Sequence, residues 1–461
     1  LEQRAAEGGR SVIVRESKSG ERETLTPENF NIRSRVHEYG GKAFLIASGH
    51  LWFSNDSDGR IYRQVLDSKA LPEAISEAES RAMAIDFLLT ADEKFLLFVQ
   101  ETPVEGAENE NSLSILPLVN NSAGSSSSLV SGADFYANPV ISPDGSQLAW
   151  VEWDHPQMPW DGTRLMSAQL VEKDGLLTLA DGATRRIAGG EQCSVCQLHY
   201  SSTGKLFFVL DGVDEEQGLK ADCWSLFCWD GSEASRITHD HGEYGEGHWI
   251  FGQQRYVATA DDTILAIRTV NGKDELVEVN TASSAVQLIE NEKSTSLSHL
   301  SRSVDGEVFY TAAGCDSTSE VHSYSAASGK IRHWTRSESL LAATDISKPR
   351  HLTFATSEGG KAHAWYYRPL NHRYQAPTGE LPPLLVMVHG GPTSRCDSAL
   401  DYLRQFWTGR GFAVLDVNHR GSTGYCREFR QSLQKQWGIF DCIDVAEAVK
   451  HVIVNKLANP E

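Results

Sequence analysis

Long apolar runs are missing from this chain. No stretch of about 18 apolar residues occurs in its 461 positions, so no helix is expected to span a bilayer. Positive charge is also scarce: 42 Lys and Arg stand against 62 Asp and Glu, a net charge of -20, and no basic block occurs. A phosphate-binding surface needs clustered Lys and Arg, so nucleic acid is excluded as a partner. The 8 cysteines lack the regular spacing of a disulfide framework, which favours a reducing compartment and a cytoplasmic setting. Sequons at Asn55 and Asn120 are no more than chance supplies in a chain this long. No methionine or signal-like segment opens the chain at Leu1, and both ends read as cut from a longer pattern.

What is present in abundance, up to about residue 340, is short runs of Val, Ile, Phe, Trp and Tyr separated by turn residues. One turn-plus-strand pattern recurs, beginning at Thr90, Ser142, Ser202 and Ser303, spaced by about fifty positions or twice that. Later strands recur too, as in Gly59-Arg-Ile-Tyr, Gly162-Thr-Arg-Leu, Asp222-Cys-Trp-Ser and Glu320-Val-His-Ser. A strand-and-turn period near fifty predicts a β-propeller, of about seven blades with the first incomplete, over residues 1–345. Unrelated β-sandwiches are the alternative, and the period argues against them. The Gly/Ser stretch Asn120 to Ser128 reads as a flexible loop between units.

Past residue 345 the pattern changes. Strand-like Ala364-Trp-Tyr-Tyr and Leu384 to Val388 alternate with helical spacing over Asp397 to Arg410 and Asp441 to Lys456. Asp441 and Asp444 stand near the start of the second helix, where the helix dipole favours carboxylates. Alternating strand and helix predicts a parallel sheet with crossovers. Residues 346–461 are therefore expected to be the N-terminal part of an α/β-hydrolase domain.

Two loops carry the chemistry. The run Leu384 to Val388 ends in His389-Gly390-Gly391-Pro392, and the run Phe412 to Val417 leads into Asn418-His-Arg420-Gly421-Ser-Thr-Gly424-Tyr425. A histidine-glycine-glycine turn after a buried strand bares backbone N–H groups, the donors that an oxyanion requires. Pro392 removes one amide from that turn. Taken alone, the turn is equally a tight strand closure.

Together with Trp437-Gly438, Asp441 and Asp444, these loops resemble the prolyl oligopeptidase family of serine peptidases, in particular its acylaminoacyl-peptidase-like branch. The resemblance extends back through Arg35-Val-His-Glu-Tyr-Gly-Gly41, Trp153-Asp-His-Pro to Gly162, and Trp249-Ile-Phe-Gly252. It implies that the hydroxyl of Tyr425 replaces one backbone oxyanion donor, and that Arg420 braces the loop. His389, Gly390, Gly391 and Pro392 would support the oxyanion loop. The implied activity is hydrolysis of short peptides, acyl-peptides or aminoacyl amides, with the propeller gating access and no cofactor required. A homo-oligomer is compatible with the sequence.

The family's nucleophile sits in a G-x-S-x-G turn, and no serine here has glycine at both positions two away. The nucleophile, acid and base are therefore expected outside these 461 residues, and this chain alone is expected to be inactive. The second reading is a non-catalytic propeller binding protein with a vestigial hydrolase half. Ser422 is a poor substitute nucleophile, since it lies in the oxyanion loop without an assigned base. Cys193-x-x-Cys196-x-x-His199 and Cys223-x4-Cys228 suggest zinc only weakly, because they fall in β-like runs, and no metal is expected. Glu243 and Glu246 near His248 read as a solvated acidic loop more readily than as an anchor for a substrate amine, and Glu38, Glu152 and Asp154 read likewise.

Overall fold

The computed structural model describes residues 1–17, 19–77, 82–118, 125–260, 262–290, 293–336, 339–391 and 393–460. Pro392 and residues 119–124 of the expected Gly/Ser loop thus lie outside the described residues. The chain divides into two compact units: residues 1–220, 227–236 and 248–253 form the first, and residues 221–226, 237–247 and 254–461 the second.

The first unit is built of antiparallel strands. Two short hairpins come first, Glu2–Arg4 with Arg10–Val12 and Val14–Glu16 with Arg22–Thr24. Four-stranded meanders follow over residues 44–74 and 83–130, with strands paired in chain order. A third covers residues 135–190, and its strand Arg185–Gly190 joins Cys193–Tyr200 through the single pair Gly190 and Cys193. Alternation of side chains places Trp52, Ile61, Phe87, Leu96 and Phe98 in one buried cluster. Burying each such side chain contributes on the order of 1.5–3 kcal/mol.

The fifty-residue repeat has a local cause. In the turn at Ser142 the hydroxyl donates to Asp144 at 2.5 Å and accepts from the Gln147 N–H at 2.9 Å. Gly145 supplies the positive φ of 75° and donates its N–H to the Ser142 carbonyl. Thr90 with Asp92 and Ser303 with Asp305 build the same turn. In the fourth copy the role falls on Ser201 with Thr203 and Gly204, one residue before the expected Ser202. That shift arises because Ser-Ser-Thr-Gly offers two serines, and only the first stands three residues before the glycine.

Three of the segments behind the family resemblance meet within this unit. The Tyr39 ring lies edge-on to Trp249, which packs 4.4 Å from Trp160. His37 packs against Phe135, Trp153 and Phe251. Burial pushes its imidazole down to about 4, so it is a neutral core ring at neutral pH. Gly41 (φ 105°) lets the chain pass close to Phe251, where a Cβ would come within 2.3 Å of the carbonyl oxygen.

The second unit holds four-stranded antiparallel sheets over residues 256–288 and 294–333, packed through Leu265, Ile267, Leu276, Leu297 and Val308. It also holds a mixed sheet of β1 (Arg350–Ala355), β2 (Lys361–Tyr367), β3 (Leu384–Val388) and β4 (Ala413–Asn418). Spatial order is β1-β2-β4-β3, with β3 and β4 parallel and the other pairs antiparallel. Helix α1 (Tyr402–Thr408) joins β3 to β4, and the short α2 (Cys426–Gln431) and the longer α3 (Phe440–Val454) follow.

Alternation along β4 explains the layering. Ala413, Leu415 and Val417 pack with Ala448 and Val452 of α3, while Val414 faces the other way with Cys396, Trp365 and Trp407. Helix α1 begins later than the expected Asp397, because Asp401 caps it by accepting from the N–H groups of Leu403 and Arg404.

Replacing Gly145 by alanine meets only open space and should cost about 1–2 kcal/mol, the left-handed penalty. Gly41→Ala adds a backbone clash and should cost clearly more. Urea unfolding of the two variants checks the order, and equal costs would contradict the close approach at Phe251.

Candidate active-site loops

The loops after β3 and β4 lie side by side. His389 stacks on His419, with ring centroids 4.6 Å apart, and its Nε2 stands 2.7 Å from the Ser422 hydroxyl. That hydroxyl also lies 2.7 Å from the His419 carbonyl, to which it can donate. Burial pushes the His389 imidazole down to about 4, helped by His419 beside it. The ring is therefore neutral at neutral pH. Ser422 does gain a histidine partner here, but it is 0% exposed. An attacking oxygen must reach its substrate, so Ser422 is a structural hydroxyl. Gly390 and Gly391 are exposed beside a cleft lined by Val388, His389, Gly391, His419, Leu433, Trp437 and Val445.

Arg420 is fixed by charge. Asp444 of α3 accepts from the Arg420 backbone N–H at 2.8 Å, from Nε at 3.0 Å and from Nη2 at 2.7 Å. Its carboxylate also takes the Thr356 hydroxyl, and Arg420 donates to Ser357. Both members of the pair are buried. Asp444 thus does more than meet a helix dipole: it holds the start of the loop that leads to Tyr425.

Tyr425 lies at the far end of that loop. Its ring stacks on His363 at 4.0 Å with an interplanar angle of 7°, and it packs against Phe429. Asn418, the last residue of β4, donates from Nδ2 to the phenol oxygen at 3.1 Å, and His351 Nε2 lies 3.4 Å away. Asn418 uses one lone pair of the phenol oxygen and leaves the O–H as a donor, with His351 Nε2 an acceptor within reach. Burial raises the phenol's pKa and keeps it protonated. Tyr425 is not among the residues lining the cleft beside His389. The structure therefore brings together His389, Gly391, His419 and Ser422, and places Tyr425 in a separate aromatic seat.

Sequence reasoning missed what holds that seat. Glu243 is 1% exposed and accepts from the Gly424 N–H at 2.6 Å, with Arg430 beside it at 3.5 Å. Glu246 pairs with Arg395 of the loop after β3, and Arg395 also reaches Asp274 at 3.0 Å. Both glutamates are thus engaged with the loops after β3 and β4, which corrects their reading as a solvated acidic loop. Burial alone would push the Asp274 carboxyl up, but Arg395 and Arg255 outweigh it and hold it below the usual carboxylate range. Cys223 is joined to Cys426 in a disulfide, which removes the Cys223–Cys228 zinc pairing. The signal available was only that Cys426 follows Tyr425 directly.

Asp444→Ala should cost about 3–5 kcal/mol, because it strands a buried guanidinium. Chemical denaturation of the purified chain measures this, and a loss below about 1 kcal/mol would mean that Arg420 finds water or another acceptor.

Comparison with known proteins adds four findings. Residues 398–461 match the prolyl oligopeptidase family. A puromycin-hydrolyzing peptidase of Mycobacterium tuberculosis superposes with a TM-score of 0.89 at 28% identity, over 99% of this chain and 70% of that one. Dipeptidyl peptidase family member 6 of Caenorhabditis elegans is 27% identical over 43% of this chain and 30% of its own length. The human acylamino-acid-releasing enzyme is 42% identical over 15% of this chain and 10% of its own length. The chain thus aligns with less than a third of the curated relatives and with 70% of the solved peptidase. On these matches and the motifs above, the chain resembles the prolyl oligopeptidase family, on its acylaminoacyl-peptidase-like side, with the family match itself covering residues 398–461.

Proposed function

We propose that this chain forms part of a serine peptidase acting on short peptides or on acyl and aminoacyl amides. In this reading residues 1–345 are a propeller of about seven blades that gates access, and residues 346–461 are the first part of an α/β-hydrolase domain. The observation that carries it is the pair of adjacent loops after parallel strands β3 and β4, with a protonated phenol at the end of the second. The nucleophile, acid and base belong to the full-length protein, since no serine here sits in a G-x-S-x-G turn. The serine attacks the carbonyl, a histidine takes its proton, and Tyr425 with a backbone N–H stabilises the oxyanion.

The aminoacyl amide puromycin is a fitting first substrate, given the hydrolase with which this chain aligns along 99% of its length. The cytoplasmic assignment carries a condition, because in a reducing cytoplasm the Cys223–Cys426 pair would be held as thiols. Among the described residues no helix is long and apolar enough to cross a membrane.

A fluorophosphonate probe on the full-length protein tests the reading: labelling supports a serine peptidase, and its absence supports the binding-protein alternative. In the same protein Tyr425→Phe should lower kcat by about 10²–10³, the usual cost of one oxyanion donor. An unchanged rate would remove Tyr425 from the mechanism. Ser422→Ala should still take the label and keep its hydrolysis within about tenfold, since no interaction specific to the transition state is lost.

A further inference from the structure

The sheet over residues 294–333 carries a cluster that the peptidase reading does not use. Strands Ser317–Ser325 and Lys330–His333 pair antiparallel with His322 directly opposite His333. Glu320 precedes His322 by two residues and so shares its face of the strand. Glu320 Oε2 lies 3.2 Å from His322 Nε2 and 3.8 Å from His333 Nδ1, and the two imidazole rings are 4.1 Å apart. One ligand-type atom from each of the three residues lies within 4.8 Å of the others.

We propose that Glu320, His322 and His333 form a binding site for one Zn²⁺ ion, clipping the four-residue edge strand Lys330–His333 to its neighbour. Bonds of about 2.0–2.2 Å at tetrahedral angles put ligand atoms on the order of 3.3 Å apart. The Glu320–His322 separation of 3.2 Å already meets that figure, and His333, within 4.8 Å of both partners, must close by at most about 1.5 Å. Its side chain is 45% exposed, so a small rotation achieves this without repacking a core.

The alternative is an ordinary ion pair between Glu320 and a charged His322. The geometry argues against it: the same carboxylate oxygen also faces His333 Nδ1 at 3.8 Å with the two imidazole rings side by side, a convergence that a single ion pair does not need. The Nε2 of His322 faces Glu320 and is the atom that would ligate. Two imidazoles and one carboxylate suit Zn²⁺, whereas Ca²⁺ and Mg²⁺ favour all-oxygen sites. Three protein ligands leave a fourth position for water on the side that His333 exposes to solvent.

The test is calorimetric titration of the chelator-treated protein with ZnCl₂, paired with its thermal unfolding. One equivalent should bind saturably and raise Tm, because an ion that binds only the folded state stabilises it. His333→Ala and Glu320→Gln should each weaken binding by roughly tenfold or more, with circular dichroism unchanged. His239→Ala, at an exposed histidine elsewhere, should leave affinity intact. Absence of saturable binding, or binding that survives His333→Ala, overturns the site.

Discussion

The bond between Asp444 and Arg420 is the constraint on which the candidate site depends. Helix α3 packs its apolar stripe on the mixed sheet, and that packing carries one buried carboxylate to the mouth of the loop after β4. The carboxylate takes the backbone N–H of Arg420 and both of its outward guanidinium donors, while the Phe440 ring lies 3.9 Å from the guanidinium carbon. Two desolvated charges contribute little net stability, since desolvation offsets most of their attraction. What the pair supplies is a single permitted path for the backbone. Any other path leaves a buried charge without a partner.

From that fixed start the loop runs to a second set of anchors in the same unit. Gly424 donates to Glu243, the Gly272 N–H donates back to the Gly424 carbonyl, and Cys426 is tied to Cys223. Gly272 has φ 73°, and a Cβ there would come within 2.7 Å of the Tyr425 hydroxyl. The phenol therefore sits where it does because the residue facing it has no side chain. Arg395 makes the matching attachment for the loop after β3, through Asp274 and Glu246. Both loops are seated on residues that the sequence reading placed in the repeat region. The compact unit accordingly includes residues 254–345 along with the mixed sheet.

Much of this was legible beforehand. The repeat could be read because its turn needs a hydroxyl, a carboxylate or second hydroxyl, and a residue tolerating positive φ at fixed offsets. The strands β3 and β4 announced themselves as apolar runs ending in glycine-rich loops. The parts that were not legible are long-range. Glu243 is 181 residues from Gly424 in sequence, and its neighbours look like any acidic loop. The Cys223–Cys426 bridge spans 203 residues. Helix α1 starts a few residues after the expected Asp397 because Asp401 caps it, and helical spacing alone does not locate a cap. His322 and His333 meet only through strand register, which no local pattern records.

Charge state ties these constraints to chemistry. Burial keeps His389 neutral and Tyr425 protonated near neutral pH, so neither brings a formal charge to the loops. A neutral donor stabilises an oxyanion through its dipole, and it gains most where water is excluded. It also costs the resting site nothing in unpaired charge. The cations nearby, Arg395 and Arg420, are already committed to Asp274 and Asp444. Because burial raises its pKa, the Tyr425 phenol does not ionise near neutral pH. In the proposed peptidase, pH dependence near neutrality is therefore expected from groups other than Tyr425, which would contribute a constant factor to the rate.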